Sequence, residues 1–309
     1  MAGFEAYTGA KNEILYNVVK GYQAKTTPFI MNIFHDSDVD TVSGLSGTYK
    51  YMTSEDLMSH KTNDNPAFIA LNAAPDLVDT KLRDHSWAIP GKFSVAHQIS
   101  KADLVGGDVH GSVEIAVNQA LAESSFQIDY YGSFFLKPGA INTEYVAGTA
   151  WSDPTSDPLT DIEAMQDVSF GVGDVIVLGA NVERNLSKHP SFREQISNFA
   201  ADGGRSPRGY VANYLSEVFD CEVFVARKSY YRNANKRAPI LASQFKTIYD
   251  DICYVGSRDH LRFLENPEGS ESLLQEYNPK SQTWDFITHR WVVGTRVPEK
   301  RMGVTATGI

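Results

Sequence analysis

The sequence has little of what disulfide bonding, secretion or membrane insertion requires. Only two of its 309 residues are cysteines, Cys221 and Cys253, which excludes a disulfide framework and favours a reducing compartment. No apolar run approaches the roughly 20 residues that a membrane-spanning helix needs. No basic lead followed by an apolar stretch opens the chain, so no signal peptide is predicted. We therefore expect a soluble protein that is made in the cytoplasm.

Basic residues are also scarce. The chain has 28 Lys and Arg against 38 Asp and Glu, a net charge of −10, which argues against a dedicated nucleic-acid binder. One exception is the segment RKSYYRNANKR (227–237), which has five basic residues, two tyrosines and no acid. This segment could contact nucleic acid, or it could be a solvated loop that meets acidic groups on another subunit. The second interpretation is favoured because the rest of the chain is acidic.

The stretch GVGDVIVLGANVERNLSKHPSFREQI (171–196) lacks the glycine order of a phosphate-binding loop. A dinucleotide fingerprint places its glycines after the strand, where the helix begins, and a P-loop ends in Gly-Lys-Ser/Thr. Here Gly171 and Gly173 precede the apolar run 175–178, Gly179 alone follows it, and no lysine is near. The pattern indicates a buried strand packed against a helix.

Metal-binding patterns are incomplete. Asp36, Asp38 and Asp40 have the spacing of a calcium loop. Thr41 stands where such a loop requires glycine, and Gly47 stands where the bidentate glutamate belongs, so a solvated turn is favoured. No two of the eight histidines lie three or four residues apart, so a helical zinc site is not expected.

Catalytic groupings are missing as well. Asp103, Asp108 and His110 could cluster near a helix start, but a helix cap and surface polar groups explain them. Cys221 and Cys253 fall in strand-like runs, where cysteine usually behaves as a small buried apolar group. No Gly-x-Ser-x-Gly motif occurs. We predict no metal, no cofactor and no enzymatic activity.

The front of the chain combines one helical stretch with three extended stretches. The spacing of apolar residues predicts a short amphipathic helix over 12–22, with Ile14, Leu15, Val18, Val19 and Tyr22 on one face. The stretch TTPFIMNIF (26–34) is predicted to be extended. Strand-like alternation at GTYKYMT (47–53) and WAIPGKFSVA (87–96), around a polar middle, predicts a long β-hairpin. A two-stranded ribbon is barely stable alone in water, so it needs a surface to lie on, and the chain offers no obvious cover.

The remainder predicts a mixed helix and strand fold. A long helix capped by Asp108 is predicted to run to about Tyr131, followed by strands around a turn at Pro138-Gly139. Asp157 and Pro158 are typical of a helix start. Further helices are predicted at 181–188, 190–200 and 209–219, and strands at 174–178, 221–226, 246–249, 252–255 and 283–297.

The order of these parts resembles the major capsid proteins of tailed bacteriophages, a fold shared with encapsulins. SGTYKYMTSEDL (46–57) is similar to the first strand of that family's extended loop, and WAIPGKFSVAHQISKADL (87–104) to its return into the long spine helix. TAWSDPTSDPLTDIEAM (149–165) is similar to the entry to the axial domain. VIVLGANVERNLSKHPSFREQI (175–196) resembles a strand–helix unit that is common there.

The resemblance implies an α+β phage major capsid fold with four parts. These are an N-terminal arm (1–35), an extended loop (36–97), a peripheral domain with the spine helix (98–155 and 275–309), and a mixed axial domain (156–274). It also implies a structural, self-assembling homo-oligomer. Pentamers and hexamers would close an icosahedral shell around double-stranded DNA, which is enclosed without sequence-specific binding.

The resemblance also sets expectations for partners and location. Other copies of the chain and a portal are expected partners. The extended loop begins too early for a fused scaffolding segment, so a separate scaffolding protein, or none, is expected to build the procapsid. The protein is expected in the virion, after assembly in the host cytoplasm and without contact with a membrane.

Two alternatives remain open, and a set of contact residues follows from the leading one. The alternatives are an encapsulin-like compartment with protein cargo and an α/β enzyme with an unrecognised site. The residues expected at a subunit interface are Tyr49, Tyr51, Arg83, Trp87, Lys92 and Phe93. Replacing Trp87 by alanine is expected to harm assembly more than the fold of the subunit.

Overall fold

The computed structural model describes most of the chain and has an α+β architecture. The described residues are 27–51, 82–100, 112–139, 142–169, 173–193, 207–226, 229–231, 245–247, 249, 251–259, 261–267, 274–296 and 303–309. The predicted helix over 12–22 lies outside these residues, as do Asp103, Asp108, His110 and most of the basic segment 227–237.

Five helices with defined bounds lie within the described residues. They are α1 (Phe29–Phe34), α2 (Ser112–Leu136), α3 (Pro158–Val168), α4 (Ala180–Lys188) and α5 (Pro207–Phe219). A further helical stretch begins at Pro190 and is described as far as residue 193. No helix in the part of the chain listed above is long and apolar enough to cross a membrane.

Thirteen strands fall into four sheets within the described residues. They are β1 (Ser46–Tyr51), β2 (Arg83–Ala88), β3 (Phe93–Ser100), β4 (Thr143–Val146), β5 (Val175–Gly179), β6 (Glu222–Ala226), β7 (Ser229–Tyr231), β8 (Phe245–Thr247), β9 (Cys253–Gly256), β10 (Leu261–Asn266), β11 (Leu274–Asn278), β12 (Thr283–Arg296) and β13 (Gly303–Thr307). The sheets are the pairs β1–β2 and β7–β8, a four-stranded sheet of β10, β12, β11 and β3, and a five-stranded sheet in the order β4-β13-β9-β5-β6.

The five-stranded sheet has an apolar core on each face. All five residues of β5 are buried. Ile176 and Leu178 join the core formed with α3, α4 and α5, whereas Val175 and Val177 join the core formed with α1, α2 and β10. A strand covered on both faces reads as a continuous apolar run, which is why the sequence predicted this strand correctly.

The helix α1 corrects the prediction of an extended stretch at 26–34. Ile30, Met31, Ile33 and Phe34 are buried, and the backbone N–H of Ile30 donates to Asp129 Oδ1 of α2 at 2.9 Å. The six residues make less than two turns, too few for a helical period to stand out from strand-like alternation. Tertiary packing against α2 therefore decides the conformation.

The helix α2 is longer than predicted and follows the predicted apolar face. Ala116, Val117, Ala120 and Leu121 are buried, as the pattern indicated. The helix continues to Leu136, so the prediction of a strand at Phe134–Leu136 is wrong. The turn after it is confirmed, with Gly139 at a φ of +138°, a backbone conformation that favours glycine.

The long strand β12 organises the four-stranded sheet. It has 14 residues and pairs antiparallel with β3, β10 and β11. The sequence predicted β12 but missed β10, β11 and β13. The strand β3 places the second half of the predicted arm 87–96 in this sheet rather than in the hairpin. Pro90 and Gly91 lie between β2 and β3, where the predicted single arm is interrupted.

Candidate interaction surface

The predicted hairpin forms, and it is the most exposed regular structure near the front of the chain. Strands β1 and β2 pair antiparallel over six residue pairs, from Ser46 opposite Ala88 to Tyr51 opposite Arg83. None of these twelve residues is buried. We call β1 and β2 together the ribbon. Its first strand agrees with the alternation at 47–53, whereas its second strand overlaps the predicted arm 87–96 only at Trp87 and Ala88.

The ribbon has two chemically different faces. Residues opposite each other in an antiparallel pair share a face, so one face carries the pairs Gly47–Trp87, Tyr49–His85 and Tyr51–Arg83. The rings of Tyr49 and His85 lie 5.1 Å apart on it. The other face carries small and charged residues, and we call it the polar face; its members are Ser46, Thr48, Lys50, Asp84, Ser86 and Ala88.

The aromatic face lies partly on the body of the same chain. Tyr49 Oη is 3.4 Å from Thr295 Oγ1 of β12, and burial raises the pKa of Tyr49 above its ordinary value. Trp87 packs against a small apolar cluster of Ile89, Leu264 and Val293. The base of the ribbon therefore has a cover of its own, contrary to the expectation that the chain offers none.

Trp87 also fits closely against the opposite strand. A Cβ atom added to Gly47 would lie 2.8 Å from the Trp87 ring. Only glycine leaves room for the indole at this position, so any larger residue would push Trp87 off its apolar cluster.

The segment leading into the ribbon is tied to β10. The backbone N–H of Val42 donates to the Glu265 carbonyl at 2.9 Å, and that of Glu265 donates to the Asp40 carbonyl at 3.0 Å. The N–H of Ile89 donates to the Leu45 carbonyl at 2.8 Å, which closes the base. These bonds fix the point at which the ribbon leaves the body.

The aspartates at 36–40 form a turn, but one that is only partly solvated. Asp40 is buried, accepts the backbone N–H of Asp36 at 2.9 Å, and has Arg262 Nη1 3.4 Å from its Oδ1. Asp36 accepts the N–H of Asp38 at 3.0 Å. No group of three or more potential metal ligands occurs among the described residues. The prediction of a solvated turn therefore fails for Asp40, whose charge is paired with Arg262.

The other expected contact residues lie around the ribbon in different settings. Arg83 is exposed at the outer end of β2, and Lys92 is exposed between β2 and β3. The Phe93 ring lies 5.5 Å from that of Tyr131, so it packs on α2 of its own chain. Their role at a subunit interface stays a prediction.

An ion pair that the sequence did not reveal strengthens the body beneath the ribbon. Arg290 of β12 donates to both carboxylate oxygens of Glu265 on β10, at 2.9 and 3.0 Å. Its Nη2 also lies 3.4 Å from Met31 Sδ. The partners are 25 and 259 residues apart in sequence, and no motif links them, so only the fold brings them together.

The predicted helix start at Asp157 is confirmed and connects to the core. Asp157 accepts the Thr160 hydroxyl at 2.8 Å and the Thr160 N–H at 3.3 Å, and these hydrogen bonds, the hydroxyl's first, lower the pKa of Asp157. One turn on, Asp161 accepts hydrogen bonds from the Trp151 indole and the Tyr145 hydroxyl, both at 2.7 Å. These two bonds join the segment before α3 to the five-stranded sheet.

The two cysteines are structural, as predicted. Cys253 is fully buried in β9, and Cys221 is buried just before β6. Burial raises the pKa of Cys221 to about 11 and raises that of Cys253 further, so both remain uncharged thiols at neutral pH.

A family model supports the resemblance found in the sequence. Residues 113–253, somewhat under half of the chain, match the model described as phage major capsid protein E. A search among curated proteins found no match.

Solved structures match nearly the whole chain. A phage-related protein from Bordetella bronchiseptica RB50 aligns over 96% of both chains with a TM-score of 0.60 and 13% identity. A protein of Mycobacterium phage Che8 aligns over 91% of this chain and 92% of its own, with a TM-score of 0.58 and 12% identity. A virus-like particle from Pyrococcus furiosus aligns over 94% and 96%, with a TM-score of 0.57 and 9% identity.

Together these matches confirm the predicted fold class and the resemblance. The chain has the α+β fold of phage capsid proteins, and its residues 113–253 match the family model.

Proposed function

We propose that this protein is the major structural subunit of a tailed-phage capsid. Copies assemble into hexamers and pentamers that close an icosahedral shell around double-stranded DNA. The observation that carries the proposal is the ribbon: twelve residues, none of them buried, projecting from a body with the phage capsid fold. A ribbon covered on part of one face gains stability when a second surface covers the other.

The ribbon suits an interface between unlike patches. Such heterologous contacts close into rings, which is the geometry of a pentamer or hexamer. Tyr49 and Trp87 hold the base of the ribbon on its own subunit, so we assign the contacts with a neighbour to Tyr51, Arg83 and Lys92 and to the polar face. Phe93 supports the base from β3.

The proposed shell implies which partners this protein has. Other copies of the chain are the main partner, with a portal and a separate scaffolding protein during assembly of the procapsid in the host cytoplasm. DNA is enclosed without sequence-specific binding. The net charge of −10 supports a shell whose subunits bind the enclosed DNA weakly. No membrane takes part, and the protein resides in the virion.

We propose a four-part division of the subunit in which sheet membership refines the boundaries. The arm, the extended loop, the peripheral domain and the axial domain retain their order. The strand β13 pairs with both β4 and β9, which places β4 and β13 in the five-stranded sheet. The axial unit would therefore include 142–155 and 303–309. The peripheral unit would combine α2 with β3, β10, β11 and β12.

Electron microscopy and sedimentation of the purified protein test this function. We expect uniform closed shells or rings, with wild-type assembly abolished or strongly reduced by Ser86→Arg on the polar face. Ser187→Arg, at a partly exposed serine of α4, is the control and should assemble normally. Monomers that persist at high concentration in the wild type would refute the proposal.

The contents of the shells separate a phage capsid from an encapsulin-like compartment. The similarity to a virus-like particle is the reason to test for an encapsulin-like compartment. Shells produced with phage DNA and a portal should package nuclease-protected DNA. Shells that instead retain a specific protein cargo and no DNA would favour the compartment.

A further inference from the structure

The four-stranded sheet has one face on the helices and one face turned outward. Side chains alternate along β12, so every second residue lies on the same face. Phe286 and Val292 pack in the cores that contain α2, whereas Val293 and Thr295 contact the ribbon. The ribbon of a subunit therefore lies on the second half of its own outward face.

The ribbon runs away from the first half of this outward face. Trp87 packs with Val293, and Tyr49, farther out along the ribbon, lies at Thr295, so the ribbon follows β12 toward its end. In the first half, β12 pairs with β3 on one side and with β11 on the other. The β3 side chains there are exposed, and those of β12 are half-buried. We call this half the open face; its members are Ser94, Ala96, Gln98, Leu274, Glu276, Asp285, Ile287 and His289.

Two carboxylates on the open face stand directly opposite each other. Glu276 of β11 pairs with Asp285 of β12 in the antiparallel register, so their side chains share a face. Like charges in directly opposite positions destabilise a sheet. Among the described residues, no Lys or Arg forms an ion pair with either carboxylate. A cation supplied from outside the subunit would relieve this repulsion.

The ribbon has the length and the charge to fit the open face. The open face follows β12 over 283–289, about 23 Å, and each six-residue strand of the ribbon spans about 20 Å. At the outer end of the ribbon Lys50 and Arg83 are exposed, with Asp84 as the one carboxylate. Small side chains on the polar face allow the two sheets to approach closely; they are Ser46, Thr48, Ser86 and Ala88.

We propose that the polar face of the ribbon of one subunit lies on the open face of a second copy, with Lys50 beside Glu276 and Asp285. This inference rests on the proposed function and names the surface that a neighbour offers to the ribbon. The outward face of each sheet is then covered on both halves, by its own ribbon and by that of a neighbour. The two patches are unlike, so the contact can repeat around a ring.

Exchange of charges between the two surfaces, with the yield of shells measured by sedimentation, tests the proposal. Glu276→Lys places a cation opposite Asp285, so the melting temperature of the unassembled subunit should stay the same or rise. The yield of shells should nevertheless fall at least about tenfold, because the new cation faces Lys50 of a neighbour. Lys50→Glu should lower the yield by a similar factor, and a protein with both exchanges should recover most of it. Gln98→Lys, also opposite Asp285, is a second position if Glu276→Lys fails to fold.

The matched control is Glu163→Lys, the same exchange at an exposed position of α3, which should leave the yield of shells unchanged. Normal shells from Glu276→Lys would overturn this inference, as would a double exchange that recovers no more than either single one. In both cases the shells of the unaltered protein would still uphold the proposed function. Failure of the unaltered protein to form shells would overturn the inference together with the proposed function.

Discussion

The ribbon and the strand β5 show two ways in which this chain stabilises a β-structure. All five residues of β5 are buried between two cores, and its neighbours β6 and β9 pair along both of its edges. The ribbon is longer in total, yet none of its residues is buried and only its aromatic face touches the body. We infer that β5 contributes to the stability of the subunit, whereas the ribbon contributes mainly to contacts between subunits.

The largest effect on the stability of the subunit should come from a substitution in β5. Leu178 is fully buried, so Leu178→Ala should lower the free energy of unfolding by about 2–5 kcal/mol through lost contacts and a residual cavity. Urea unfolding of the unassembled subunit measures the change. An unchanged midpoint would show that β5 is not part of the stabilising core.

Trp87→Ala should have an intermediate effect on the stability of the subunit. It tests how far the ribbon depends on contacts with its own chain. The indole is half-buried on the cluster of Ile89, Leu264 and Val293, so its loss should cost about 1–2 kcal/mol. Sequence alone predicted that assembly would suffer more than the fold, and the structure predicts that both suffer. Loss of shells with an unchanged melting temperature would mean that a neighbour alone holds the base of the ribbon.

Asp157→Ala tests a local contact on the body and its dependence on pH. Loss of the helix cap should destabilise the subunit by about 0.5–1 kcal/mol at neutral pH. The pKa of Asp157 is lower in the folded protein, so its contribution is complete above the unfolded value of about 3.9 and is lost as the pH falls through the folded value. The difference in melting temperature between the two proteins should begin to shrink below about pH 4 and should vanish only below the folded pKa of Asp157. A difference that persists unchanged in acid would exclude the cap as its cause.

Substitutions on the polar face should have the smallest effect on the stability of the subunit. Lys50→Ala and Asp84→Ala should each change the free energy of unfolding by less than about 0.5 kcal/mol, since both side chains are exposed. The yield of shells should nevertheless fall. Normal shells from both variants would place the contact with a neighbour elsewhere on the ribbon.

The parts that sequence predicted are those with strong local signals. Alternation at 47–53 predicted the first strand of the hairpin, whereas the second strand lies at 83–88 and overlaps the predicted arm 87–96 only at Trp87 and Ala88. Asp157 followed by Pro158 predicted the start of α3. The apolar run of β5 and the buried face of α2 were equally clear. In each case neighbouring residues carry enough information to define the element.

The parts that sequence missed depend on residues far apart in the chain. The helix α1 forms because Ile30 packs on Gly132 and bonds to Asp129, about a hundred residues away. The strands β10 and β11 lie beside β12, and β3 separates from the hairpin, because of long-range pairing. The packing of Trp87 against Leu264 and Val293 likewise cannot be predicted from the spacing of neighbouring residues in the sequence.

Hydrogen exchange of the ribbon, compared between unassembled subunits and shells, tests the central claim most directly. We expect the amides of β1 and β2 to exchange rapidly in the subunit and to be protected at least about a hundredfold more in the shell, while β5 is protected in both. Ribbon amides protected to the level of β5 in the unassembled subunit would contradict the account, because the ribbon would then be stable without a neighbour.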